Sequence, residues 1–180
     1  MTKNIKLNSL VMTALMMCMI TITTMFIKVP IPFTQGYVHL GDAMIYLSVL
    51  LLGKKNGALA AGVGSAMGDL LGGAGVWAPW TLVVKLLMAL ITGFLVEELF
   101  SGKKPHGKTL GLVLPMTMGG LEMVAGYYVA EGVIYGNWAA PVIGVPWNVG
   151  QFATGIIIAI VLASALCKGP AREYFKTKIV

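Results

Sequence analysis

The stretch GDAMIYLSVLLLGKKNGALAAGVGSAMGDLL, from Gly41 to Leu71, decides how the chain is organised. Two apolar runs flank one basic pair, Lys54-Lys55. The chain is 57% hydrophobic with a mean hydropathy of +0.84, so such runs read as membrane helices, which need ~20 apolar residues to cross a bilayer. Cytoplasmic loops collect Lys and Arg, so Lys54-Lys55 marks an inner turn. Basic clusters recur at Lys3/Lys6, at Lys103/Lys104/Lys108 and at Lys168/Arg172/Lys176/Lys178. If all four clusters face inward, each interval between them holds an even number of crossings. Two apiece predict an all-α membrane protein: a compact bundle of six transmembrane helices with both termini cytoplasmic, in one domain covering residues 1–180.

The helices are expected at about Asn8 to Ile27, Gly41 to Leu52, Gly57 to Leu71, Pro79 to Phe100, Thr109 to Val129 and Pro146 to Cys167. The first starts after a basic segment, as a signal peptide does. It lacks a small-residue cleavage site and has the length of a span, so it reads as a retained helix. Pro30 and Pro32 keep the following loop, Lys28 to Leu40, from continuing that helix. The second helix covers only ~18 Å of a ~30 Å core. The loop before it must then dip into the protein, which makes it a candidate lid. Small residues crowd the third helix, where they allow close helix packing.

A net charge of +6 and a pI near 9.4 would suggest nucleic acid in a soluble chain. Here topology and the anionic inner leaflet explain the excess, and no nucleic-acid partner is expected. Cys18 and Cys167 have neither pairing nor metal spacing. No nucleophile elbow, zinc-protease motif, paired His cluster or phosphate-binding loop occurs, so no catalytic, metal or cofactor site is expected.

Of the seven acids, Asp42, Asp69, Glu122 and Glu131 fall near the outer ends or inner depths of the expected spans. Asp42, Asp69 and Glu131 read either as interfacial loop residues or as members of a polar pocket opening outward. Glu122 lies ~15 Å below the outer end of its helix, at a depth similar to that of Lys85. Charges in a bilayer need partners or a cavity, so the two form either a structural ion pair or a ligand site. Asn148 and Gln151 are three apart, on one helix face. Trp77 and Trp80 sit at the outer boundary as an aromatic belt or a stacking wall. The candidate substrate-binding set is Gln35, His39, Trp80, Lys85, Glu122, Tyr128, Asn148 and Gln151, with Tyr127, Asn137 and Trp138 near its mouth.

These features, read in order, resemble the substrate-binding S components of energy-coupling factor (ECF) vitamin transporters. The carriers are Tyr37-Val-His-Leu-Gly-Asp-Ala, Gly53 and Gly57, Gly64-Ser-Ala-Met-Gly-Asp-Leu-Leu-Gly-Gly, and Val145-Pro-Trp-Asn-Val-Gly-Gln. The resemblance covers essentially the whole chain. It implies a multi-pass protein of the bacterial cell membrane that captures a small-molecule vitamin from outside. A transmembrane coupling subunit and two ATP-binding cassette ATPase subunits would drive its release inward. The resemblance narrows the ligand to hydroxymethylpyrimidine or pyridoxine-type rings. The family's A-x-x-x-A patch for the coupling subunit corresponds to Ala14-Leu-Met-Met-Cys18 here, a small-xxx-small variant. A stand-alone secondary transporter is the alternative, although no internal repeat stands out. An intramembrane enzyme is a further alternative, without a visible nucleophile-base pair.

Overall fold

The computed structural model describes residues 2–32, 36–100 and 110–175. Helix α1 (Thr2–Phe26) leads into a two-stranded antiparallel hairpin, β1 (Lys28–Pro30) and β2 (Tyr37–His39). Helices α2 (Gly41–Leu71), α3 (Ala78–Phe100) and α4 (Leu110–Tyr135) follow. A 3₁₀ turn (Ala140–Ile143) runs into α5 (Gly144–Leu166), and a last 3₁₀ turn covers Pro170–Tyr174. The hairpin register pairs Lys28 with His39, Val29 with Val38 and Pro30 with Tyr37. Pro30 lacks a backbone donor and sits on a strand with a free edge, where that loss is tolerated.

Six helices were expected and five are present, because α2 runs through the segment read as two. It is not one straight rod. Gly53 has φ 73° and ψ 177°, outside helical space. Beyond it the chain folds back, and a Cβ on Gly57 would lie 2.8 Å from the Cα of Val49. Ser48 Oγ reaches the Gly57 carbonyl at 3.3 Å across the bend. In a straight helix, residues eight apart lie ~12 Å apart along the axis. The two arms of α2 are therefore antiparallel.

The second arm is the middle of the bundle. A Cβ on Gly64 would lie 2.9 Å from the Met17 carbonyl oxygen on α1, and one on Gly62 would lie 2.9 Å from that of Leu82 on α3. Side chains at these positions would push the helices apart, so the run of small residues sets the spacing. Asn56 Nδ2 donates to Ser9 Oγ at 2.7 Å, and Lys54 pairs with Glu97 at 2.7 Å, fastening the bend to α1 and α3. Below the outer rim the interior is apolar, with Ile20, Ile45, Leu50, Met88, Leu112, Met116 and Met123 fully buried. Tyr46 brings its hydroxyl there, and it donates to the Met116 carbonyl at 2.8 Å.

Among the described residues, four segments are long and apolar enough to cross a membrane: Leu7–Phe26, Ala78–Leu99, Gly111–Tyr135 and Ala140–Leu166. Many large apolar side chains point outward, among them Leu10, Phe26, Leu114 and Ile157. Helix α4 extends past the expected end at Val129 and takes in Glu131 and Gly132. Gly132 does not break the helix; it makes room for the Trp138 ring. The helix stops at Gly136, whose φ of 62° suits the residue after a helix C-terminus.

Gly53→Ala should lower stability by about 1–3 kcal/mol, since its backbone region is accessible essentially to glycine alone. Thermal unfolding in detergent tests this, and an unchanged melting temperature would mean that the reversal does not depend on that conformation.

Candidate binding site

At the hairpin end of the bundle, Asp42 in the first turn of α2 faces Lys85 of α3, and both are fully buried at 0% exposure. Lys85 Nζ bonds Asp42 Oδ1, lies 2.8 Å from Met123 Sδ and sits 5.4 Å from the Tyr127 ring centroid. Gln151 of α5 donates from Nε2 to Asp42 Oδ2 at 2.9 Å, so both carboxylate oxygens are taken. Its Oε1 accepts the His39 backbone N–H at 2.8 Å. One buried chain of polar contacts thus joins α3, α2, α5 and the hairpin.

His39 is held from both sides. Its Nδ1 accepts the Gly41 N–H at 3.0 Å, so the neutral ring carries its proton on Nε2. Burial pushes its pKa down to about 3, with the positive charge of Lys85 adding to the effect. A side chain at Gly41 would collide with Thr24 Oγ1 at 2.5 Å and His39 Nδ1 at 2.7 Å. The turn from β2 into α2 therefore fits only around glycine.

Above this floor lies a narrow cavity with about 20 Å³ of free space. His39, Asn148 and Gln151 form part of its lining, Tyr37, Trp77 and Tyr127 give it aromatic walls, and Thr81, Asp69 and Glu131 add polar groups. Trp77 meets Tyr127 edge-on, with centroids 6.4 Å apart at 62°. Thr81 Oγ1 and Tyr127 OH share a hydrogen bond of 3.1 Å. Tyr37 OH donates to Asp69 Oδ1. Burial and that carboxylate both push the phenol pKa up, which keeps Tyr37 a donor. Lys28 stacks 4.2 Å from the Tyr37 ring centroid and donates to the Gly72 carbonyl at 3.1 Å. Outside this wall is a wider hollow of about 460 Å³ between the hairpin and residues 72–77, and Gly36, Tyr37 and Trp77 border both spaces.

Of the residues singled out in the sequence, His39, Asn148 and Gln151 come together at the cavity. Trp80 does not line it; Trp77, one turn earlier, does. Lys85 lies beneath the cavity, and its ion-pair partner is Asp42, not Glu122. Glu122 is half-buried outside the lining, and its Oε2 has no hydrogen-bond partner. Tyr128 is also outside the lining, donating to the Trp138 carbonyl at 2.9 Å. Asn137 accepts the Ala139 N–H at 2.8 Å and serves the turn. Gln35 falls outside the described residues. Ala14 and Cys18 are exposed on α1.

Thr81 was missed, and spacing could have found it. Trp77, Thr81 and Lys85 are four apart and share one helix face, whereas Trp80 is on another. Equal depth suggested Lys85 with Glu122, but depth does not say which way a side chain faces.

A family described as the ECF-type riboflavin transporter, S component, matches residues 4–168. A Pyrococcus woesei protein described as an uncharacterized protein in a gap 3′ region is 38% identical over 156 residues, covering 86% of this chain and 99% of that one. The thiamine precursor transporter HmpT of Lactococcus lactis subsp. cremoris is 28% identical over 135 residues, covering 74% of this chain and 72% of its own. Among solved structures, the S component for biotin from an ECF-type ABC transporter superposes with a TM-score of 0.75 at 20% identity, covering 98% of this chain and 100% of that one. An S component of a bacterial ECF transporter gives a TM-score of 0.69 at 18% identity, covering 91% and 97%. At those identities the likeness is one of fold.

Lys85→Met should destabilise the protein by about 3–5 kcal/mol, because it leaves the Asp42 carboxylate buried and unpaired. Lys85→Met combined with Asp42→Asn should recover most of that loss. A double variant that melts as low as the single one would show that the pair is not what Lys85 supplies.

Proposed function

This chain belongs to the ECF-type riboflavin transporter S-component family, and from that premise we propose that its outer cavity captures a small aromatic nitrogen heterocycle, a vitamin or vitamin precursor. It is a multi-pass membrane protein and the substrate-binding subunit of an importer, not an enzyme. The observation that carries the ligand reading is the aromatic wall of Tyr37, Trp77 and Tyr127 around the polar groups of His39, Asn148 and Gln151. Aromatic faces suit one ring while a few polar groups orient it. The HmpT relative, described as a thiamine precursor transporter, supports a ring of hydroxymethylpyrimidine or pyridoxine type. The substrate-binding residues on this reading are His39, Asn148 and Gln151, with Trp77 in the stacking role expected of Trp80.

The two arms of α2 and the other four helices supply six crossing segments, with both termini on the cytoplasmic side. Lys54 and Lys55 at the Gly53 reversal and Lys168 and Arg172 after α5 support that orientation through their charge. A cysteine replacing Val76 should react with an impermeant thiol reagent on intact cells, and one replacing Lys55 should be protected. Labelling at 55 alone would invert the orientation.

Release inward needs a transmembrane coupling subunit and two ATP-binding cassette ATPases, which are the partners proposed here. Ala14 and Cys18 lie on an exposed face of α1 beside Leu10, Leu15 and Ile22, and small residues there let another helix approach closely. Ala14→Leu and Cys18→Leu should abolish uptake by the assembled complex and leave ligand affinity of the isolated chain near normal. Parallel loss of both would show that this face serves the chain's own folding.

A further inference from the structure

The cavity has a charge requirement of its own. Asp69 and Glu131 both line it at 2% exposure. Asp69 Oδ2 and Glu131 Oε2 have no hydrogen-bond partner of normal geometry. A buried carboxylate left unpaired is costly, so such groups are kept where something supplies the missing donors. The surrounding side chains are mostly committed elsewhere. Tyr37 OH is spent on Asp69 Oδ1, the Thr81 hydroxyl is shared between Tyr127 OH and the Asp69 carboxyl, and Gln151 is spent on His39 and Asp42.

Among the described residues, no Lys or Arg lines the cavity. Lys85 beneath it is paired with Asp42, and Lys28 outside it lies against the Tyr37 ring and the Gly72 carbonyl. The space therefore holds acceptors in excess of donors.

We propose that the ligand of this cavity presents N–H donors, on an amino-substituted or protonated ring nitrogen, to Asp69 and Glu131. This rests on the reading of the cavity as the capture site, and it narrows the substrate class. An amino-bearing or protonated heterocycle meets both carboxylates while its ring lies among Trp77, Tyr127 and Tyr37. A carboxylate-bearing vitamin would bring further acceptors to a space that already lacks donors. A ring bearing only carbonyl acceptors would leave both acids unsatisfied.

The test uses the purified full chain in detergent and calorimetric titration with four probes. These are a hydroxymethyl aminopyrimidine, its analogue with hydroxyl in place of the amino group, riboflavin, and biotin. The aminopyrimidine should bind at least about tenfold more tightly than the hydroxyl analogue and more tightly than the other two, a charge-assisted hydrogen bond being worth that much. Glu131→Gln should weaken aminopyrimidine binding at least about tenfold without lowering the melting temperature of the ligand-free protein, since it removes a buried charge that nothing pairs. Tighter binding of riboflavin or biotin would overturn the charge requirement and leave the capture reading intact. So would unchanged affinity in Glu131→Gln, or release of a carboxylate-bearing molecule on denaturing the protein as isolated. If none of the four probes binds and mass spectrometry finds no released molecule, the capture reading itself falls.

Discussion

The buried pair between Lys85 and Asp42 organises the outer half of the molecule. Neither charge is exposed, so each depends on the other, and the Asp42 oxygen left over by Lys85 is what engages Gln151. Gln151 in turn holds the backbone of His39, and so fixes where the hairpin ends and α2 begins. Four elements far apart in sequence are tied by three side chains. A buried ion pair is weak evidence for stability, because a well-packed apolar pair does as well. Its value here is geometric: it admits one arrangement of α2, α3 and α5, and that arrangement supplies the floor of the cavity.

Packing elsewhere follows a simpler rule. In a membrane, helices gain little by hiding apolar surface from one another, so close backbone approach and side-chain fit decide their spacing. The glycines at 62 and 64 put the second arm of α2 within van der Waals reach of α3 and α1. The outer face of the bundle keeps large aliphatic side chains toward lipid. The interior can then be shaped by a few polar groups without losing cohesion.

Much of this was legible in the sequence. The basic pair Lys54-Lys55 marked the reversal inside α2, and Pro30 and Pro32 marked the end of α1 and the segment that forms the hairpin. The spacing of Asn148 and Gln151 placed both on the face that meets the cavity. What could not be read was azimuth. Depth paired Lys85 with Glu122, and only the packing of α3 against α2 selects Asp42 instead. Glu131 read as loop because Gly132, Gly136 and Asn137 surround it. In the fold, Gly132 is a slot for Trp138, and the helix carries Glu131 into the cavity wall. The choice between Trp77 and Trp80 was available from four-residue spacing with Lys85.

The reversal at Gly53 also acts as a ruler. Asp42 and Asp69 are 27 residues apart (69 minus 42) on the same helix, which in a straight rod would separate them by ~40 Å. Folding the rod in half brings both carboxyls to one end of the molecule, one under the cavity and one in its wall. Each arm's length then sets both the height and the facing of its acid. Inserting one residue in either arm would turn that acid by ~100° and raise it by ~1.5 Å. Loops elsewhere can lengthen by drift, but these arms can change only in step with each other.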